Sequence, residues 1–198
     1  MKLYFAGPSP FVRKCRIVAR EKGLADRIEE IAVNPYENAP ELMATNPVVQ
    51  VPTLIADDGL PLTDSPVICE YFDTLGTGPR LLPEGGADRL RVRRMETLAN
   101  GALEMGVKWL LELRRPEAER SPSWIARWSH NMDRALDALE AARPDPAVLD
   151  MGTITAGVAV TWISFRHPNH DWQTGRPNLV ALQTALEARP SFVETRPV

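Results

Sequence analysis

VPTLIADDGLPLT, residues 51–63, decides the fold. Residues 51–56 form a short, mostly apolar run, Asp57-Asp58-Gly59 is a turn, and residues 60–63 return to an extended pattern. Two such runs around an Asp-Gly turn predict a β-hairpin. Towards the N-terminus the pattern changes period. Residues 3–5 are a brief apolar strand that Pro8-Ser9-Pro10 interrupts, and a helix follows over 10–22 with Gly23 as its stop. Residues 28–33 read as a second strand and 41–45 as a short helical piece. Beyond the hairpin, Val67, Ile68, Tyr71, Phe72 and Leu75 keep helical spacing up to Gly76. The order is β-α-β-α-β-β-α. Its βαβ half requires a right-handed crossover and a parallel pair, and the hairpin adds an antiparallel pair. A mixed four-stranded sheet with helices on its faces is the expected α/β unit.

Residues 77–86 are rich in Gly and Pro, lack periodicity and read as a linker between a first domain, 1–76, and a second, 87–198. The second shows helices only. Residues 87–115 form a long one, in which Gly101 and Gly106 suggest close helix approach. Ile125, Trp128, Met132, Ala135, Leu136 and Leu139 share the face of another. Residues 151–165 are apolar nearly all round, as in a helix at the centre of a bundle. A last helix starts near Asn178 as N-cap, and Pro190 follows it.

The formal charge of −3 speaks against a nucleic-acid partner. No apolar run approaches the roughly 20 residues of a membrane span, and MKLYFAG is too short for a signal-peptide core. A cytoplasmic protein is expected. Cys15 and Cys69 lie in apolar helical patterns without a C-x-x-C pair, and read as buried structural thiols.

Three places carry candidate chemistry. Ser9, between the first strand and first helix, is either a plain N-cap before Pro10 or a hydroxyl that stabilises an anion at a positive helix end. Val51-Pro52 opens the hairpin. Proline there marks either an edge strand or a cis bond that presents the Val51 main chain to a peptide-like ligand. Asp64-Ser65-Pro66 starts the next helix, with Ser65 read as cap and Pro66 at its first position. The functional alternative adds amide groups for a carboxylate and Asp64 for an ammonium group.

The stretches SPFVRKCRI (9–17), NPVVQVPTL (46–54), DSPVICEYF (64–72) and ARPSFVETRP (188–197) resemble, in sequence and in order, the cytosolic glutathione S-transferases of the serine-type, bacterial-like kind. The resemblance implies a thioredoxin-like N-terminal domain that binds glutathione and an all-helical C-terminal domain that forms the electrophile site and homodimer contacts, the long helix supplying much of the latter. It implies that Ser9 donates a hydrogen bond to the glutathione sulfur, favouring the thiolate. Val51, beside cis-Pro52, would pair with the cysteinyl main chain. Ser65 and the amide after Asp64 would hold the γ-glutamyl carboxylate, Asp64 the α-amino group, and Gln50 would reach the tripeptide. The co-substrate is then glutathione, the second substrate a hydrophobic electrophilic small molecule near Asn100, Leu103, Glu104 and Lys108, and no metal is called for. The alternatives are a non-catalytic scaffold or binding protein on the same fold, and a specialised glutathione-dependent isomerase or dehalogenase.

Where a dithiol redox protein carries C-x-x-C, this chain reads Ser9-Pro10-Phe11-Val12, so dithiol exchange is unavailable. The family's Ser/Thr-x-x-Asp capping box is replaced by Asp150-Met151-Gly152-Thr153, in which Thr153 is expected to reach back less well. Arg13 and Lys14 are expected in solvent, the alternative being that Arg13 adds positive potential near the thiolate. The tryptophans Trp109, Trp124, Trp128 and Trp162 read as core or interface, and His167, His170 and Asp171 as a loop lacking a fourth metal ligand. The Arg89, Arg91, Arg93 and Arg94 run reads as a helix face with salt bridges.

Overall fold

The computed structural model describes residues 1–197, and residue 198, the last of the expected second domain, lies outside them. The chain divides into two compact units, Met1–Leu82 joined by the tail from Pro190, and Pro83–Arg189.

In the first unit β1 (Lys2–Phe5), β2 (Glu29–Ala32), β3 (Thr53–Ile55) and β4 (Pro61–Leu62) form one mixed sheet in the order β2-β1-β3-β4. β1 runs parallel to β2, with Leu3 opposite Glu30, and antiparallel to β3, with Leu3 opposite Leu54. Leu54 in turn faces Leu62 on β4, so one apolar row crosses three strands. The hairpin closes as its sequence requires. Gly59 takes φ 87°, Leu60 N–H donates to Asp58 Oδ1, and Ala56 N–H donates to Leu60 O. Helices α1 (Pro10–Glu21), α2 (Pro40–Thr45) and α3 (Ser65–Leu75) complete the unit, α1 and α3 packing on one another. The mixed four-stranded sheet with its helices is the thioredoxin-like arrangement that the sequence implied.

Residues 77–82 do not behave as a slack linker. Leu81 and Leu82 are buried, and their amides donate to the two oxygens of Asp73 at 2.9 and 3.0 Å. Asp73 also pairs with Lys22 at 3.1 Å, both side chains being 1% exposed. Lys22 spends its remaining donors on the carbonyls of Pro79 and Gly78. A buried pair is tolerated when such hydrogen bonds satisfy both ions.

The second unit is helical: α4 (Gly86–Leu113), α5 (Pro122–Ala141), α6 (Met151–Arg166) and α7 (Pro177–Glu187). α4 packs on both α5 and α6, and α6 also on α7. Every residue of α6 from Met151 to Val160 is buried. The glycines of α4 differ in role. A Cβ at Gly101 would meet nothing within 4 Å, whereas one at Gly106 would come within 2.8 Å of Trp162 and 3.4 Å of Met132. We therefore expect Gly106→Ala to destabilise the protein by about 1–3 kcal/mol in urea unfolding, through overpacking. Gly101→Ala, which only gains helix propensity, should be neutral or stabilising. Equal effects at the two positions would contradict this assignment.

Two expectations about caps are corrected. Thr153 does complete the box: Asp150 N–H donates to Thr153 Oγ1 at 2.9 Å and Thr153 N–H to Asp150 Oδ1 at 2.8 Å. Threonine reaches back through its hydroxyl, which also donates to Val148 O. Asn178 is not a cap. It lies inside α7, and the orphan amides of Asn178 and Leu179 are taken by the Glu140 carboxylate of α5 at 3.0 and 2.9 Å.

Candidate functional site

Strand direction gathers the three candidate places at one end of the sheet. β1 ends at Phe5 and leads through a short loop to Ser9. β3 runs against β1 with Tyr4 opposite Thr53, so Val51 and Pro52, just before it, lie at that same end. β4 runs against β3 and delivers Asp64 and Ser65 there as well.

Ser9 is the N-cap of α1. Its Oγ accepts from Val12 N–H at 3.4 Å, a long bond, while Ser9 N–H donates to Ala6 O at 3.0 Å. A hydroxyl accepts and donates at once. Capping thus uses a lone pair and leaves the Ser9 O–H without an acceptor among the described residues. The amide ends of α1 supply a partial positive charge there, and no acidic residue occupies the first turn. Arg13 and Lys14 are not solvated, being 3% and 0% exposed. The helix face that the sequence leaves to solvent is covered by other parts of the unit.

The Val51–Pro52 peptide is cis, and ladder pairing of β3 starts only at Thr53. Val51 N–H and C=O are without a partner among the described residues, as an extended ligand strand would need. The loop before it is braced from below. Buried Asn46 donates through Nδ2 to Gln50 O at 3.1 Å and Thr53 Oγ1 at 2.9 Å, and Thr53 Oγ1 donates to Gln50 O at 2.8 Å. Gln50 therefore anchors the loop through its main chain while its side chain stays exposed. Sequence reasoning passed over Asn46 and Thr53. The Asn-Pro dipeptide at 46–47, a turn signal, is the local hint.

At α3 the cap sits one residue earlier than expected. Asp64 is the N-cap, in extended conformation, and its carboxylate accepts from Ser65 N–H, so the amide expected to help hold a carboxylate is already engaged. The Thr63–Asp64 peptide is also cis. Ser65, thereby moved inside the helix, is fully buried, and its Oγ has no hydrogen-bond partner. Pro66 carries no N–H, and the Val67 N–H finds no acceptor among the described residues. A buried orphan hydroxyl beside an unpaired amide at a helix start suits a carboxylate.

The other candidates have structural partners. Cys15 and Cys69 are free, buried and 3.7 Å apart, and burial pushes the Cys15 thiol well above its ordinary range. In the helical unit His167 stacks on Trp109 at 4.1 Å and its Nε2 meets Gly106 O at 3.0 Å, with burial lowering its pKa. His170 pairs with Asp133, and Asp171 caps Gln173 and Thr174. On α4 Leu103 is fully buried, while Glu104 and Lys108 are exposed.

Sheet order, helix placement and this convergence of a helix-capping serine, a cis-proline loop and a second helix start define a thioredoxin-like class. The family model for the glutathione S-transferase N-terminal domain matches residues 8–75. An uncharacterized GST-like protein, YibF, of Escherichia coli strain K12 is 35% identical, with 100% of this chain and 98% of that protein covered. Among solved structures, a glutathione transferase family member from Pseudomonas fluorescens Pf-5 with bound glutathione superposes with a TM-score of 0.95 at 32% identity, covering 100% of this chain and 98% of that one. A glutathione S-transferase from Methylobacterium radiotolerans in complex with glutathione sulfonate gives 0.90 at 33%, covering 99% and 94%. The chain belongs to the glutathione S-transferase family.

Proposed function

We propose that this protein binds glutathione at the end of the sheet and activates its thiol for attack on an electrophilic small molecule. The observation that carries the reading is the buried, unpartnered Ser65 Oγ. A native protein rarely leaves such a group unsatisfied without a use for it. Ser65 Oγ and the Val67 amide would receive the γ-glutamyl carboxylate and Asp64 the α-ammonium group. Val51 would pair with the cysteinyl N–H and C=O beside Pro52, and Gln50 would reach the tripeptide from the rim. The sulfur then comes to Ser9, whose spare O–H and helix end favour S⁻ over S–H. The released proton goes to solvent. The thiolate lone pair forms a C–S bond as the leaving group departs with its electrons, or adds to an activated double bond whose π electrons then take up a proton from solvent.

The relatives with glutathione or glutathione sulfonate bound support the choice of ligand. We assign glutathione binding to the first unit and recognition of a hydrophobic electrophile to the helical one. The working form is a cytoplasmic homodimer, and a monomeric mass at micromolar concentration would contradict it.

Ser65→Ala separates the functional reading from a structural one. Loss of a hydrogen bond to a charged ligand should weaken glutathione binding about tenfold or more in calorimetry. Folding stability should stay level or rise, because the hydroxyl has no protein partner to lose. Unchanged affinity, or a fall in stability with it, would overturn the assignment.

A further inference from the structure

The C-terminal tail is tied to α1 at both of its ends. At the first turn, Arg13 Nε donates to Thr195 O at 3.0 Å and Nη2 to Phe192 O at 3.1 Å. The guanidinium also lies 5.4 Å from the centre of the Phe192 ring. At the last turn Ser191 Oγ donates to Glu21 Oε1 at 2.5 Å and Arg20 pairs with Glu194 at 2.9 Å. The contacts at the last turn include a surface pair with Glu194 exposed. Those at the first turn are deep, with Arg13, Phe192 and Thr195 all buried.

Placement matters more than strength. Arg13 lies one helical turn beyond Ser9, and its own N–H donates to Ser9 O at 3.0 Å, the first bond of the helix. A first helical turn is where fraying starts. In α1 the Ser9 cap bond is long at 3.4 Å and no acidic side chain supports it, so beyond the preset φ of Pro10 the local sequence adds little to hold that turn. A planar guanidinium that spans two main-chain carbonyls fixes both the position and the direction of its backbone, which a lysine ammonium cannot do. An anchor needed only to keep the tail in place could sit anywhere along α1. This one sits beside the residue proposed to meet the sulfur.

We propose that the tail, acting through Arg13, is a positioning device that holds the first turn of α1, and with it the Ser9 hydroxyl, where the glutathione thiol ionises. The inference rests on the proposed glutathione site. Arg13 is a positioning residue, since it reaches the sulfur only through Ser9. Displacement of a reacting group by 1 Å can cost about a hundredfold in rate, so a device that fixes the cap has a clear use.

The test compares the full-length wild type with Arg13→Lys, which keeps the charge and loses the two-carbonyl grip. Phe192→Leu, which removes the ring under the guanidinium and keeps the tail, is the milder second variant. Amide hydrogen exchange at positions 12 and 13 should accelerate by roughly tenfold in Arg13→Lys, with the amides of α3 unchanged. In the glutathione-saturated protein, the pH midpoint of thiolate ultraviolet absorbance should rise by about half a unit or more, while glutathione Kd moves less than about threefold. Phe192→Leu should shift both in the same direction by less. Folded variants that keep the wild-type midpoint, or the wild-type exchange at positions 12 and 13, overturn the proposal while leaving the glutathione site intact. A wild type that binds no glutathione would remove the site itself and this role with it.

Discussion

Asp73→Ala is expected to lower the unfolding free energy by about 3–5 kcal/mol, the cost of leaving a buried charge without its partner. The substitution strands Lys22, 1% exposed, with only the carbonyls of Gly78 and Pro79 for company. It also orphans the Leu81 and Leu82 amides, which donate to Asp73 at 2.9 and 3.0 Å. Arg80, at 3.6 Å, loses a partner too but is exposed enough to turn to solvent. Against a typical total of about 5–15 kcal/mol, that loss brings the fold close to its limit at physiological temperature. Asp73→Asn should cost less, since the amide oxygen still accepts one N–H. Urea unfolding of the three proteins gives the order. A change below about 1 kcal/mol for Asp73→Ala would mean that the pair is dispensable.

The largest functional effect is expected at Ser9. Ser9→Ala should reduce turnover by about a hundredfold, the usual scale for one hydrogen bond that forms to developing or full negative charge. Glutathione affinity should hold within about threefold, because most of the proposed contacts to the tripeptide lie elsewhere. Any loss of stability should be small, about 0.5–2 kcal/mol at most for an N-cap, and the 3.4 Å bond to Val12 places it at the low end. The cap and the proposed catalytic role are separable because the cap uses the hydroxyl's oxygen and a thiolate would use its hydrogen. Turnover and affinity falling together, or neither falling, would reduce Ser9 to a cap.

How far the sequence could be read depended on how far away the partners lay. The hairpin around Asp57-Asp58-Gly59 and the helices that start at Pro10 and Ser65 were legible because turn chemistry and periodicity are local. Val51 and Pro52 were legible as a pair for the same reason. The α3 cap was misplaced by one residue. Ser-Pro alone reads as cap and first position, but the chain has Asp64 before it in extended conformation, and the carboxylate takes the role. The burial of Arg13 is invisible in the sequence because its acceptors, Phe192 O and Thr195 O, lie 179 and 182 residues away. Main-chain carbonyls have no sequence signature, so no spacing rule could find them. Lys22 with Asp73, and Glu140 at the start of α7, are the same kind of miss. Asn46 and Thr53 were hidden differently, since their bonds brace a loop whose proposed contacts to glutathione are main chain.

The most direct measurement is calorimetric titration of the purified protein with reduced glutathione near pH 7, repeated in buffers of different ionisation enthalpy. Saturable binding with release of a sizeable fraction of a proton is the expected result. A thiol of ordinary pKa near 8.5 is largely protonated before it meets Ser9 and largely ionised afterwards. Binding without proton release would contradict thiol activation, and no binding at millimolar glutathione would contradict the site as a whole.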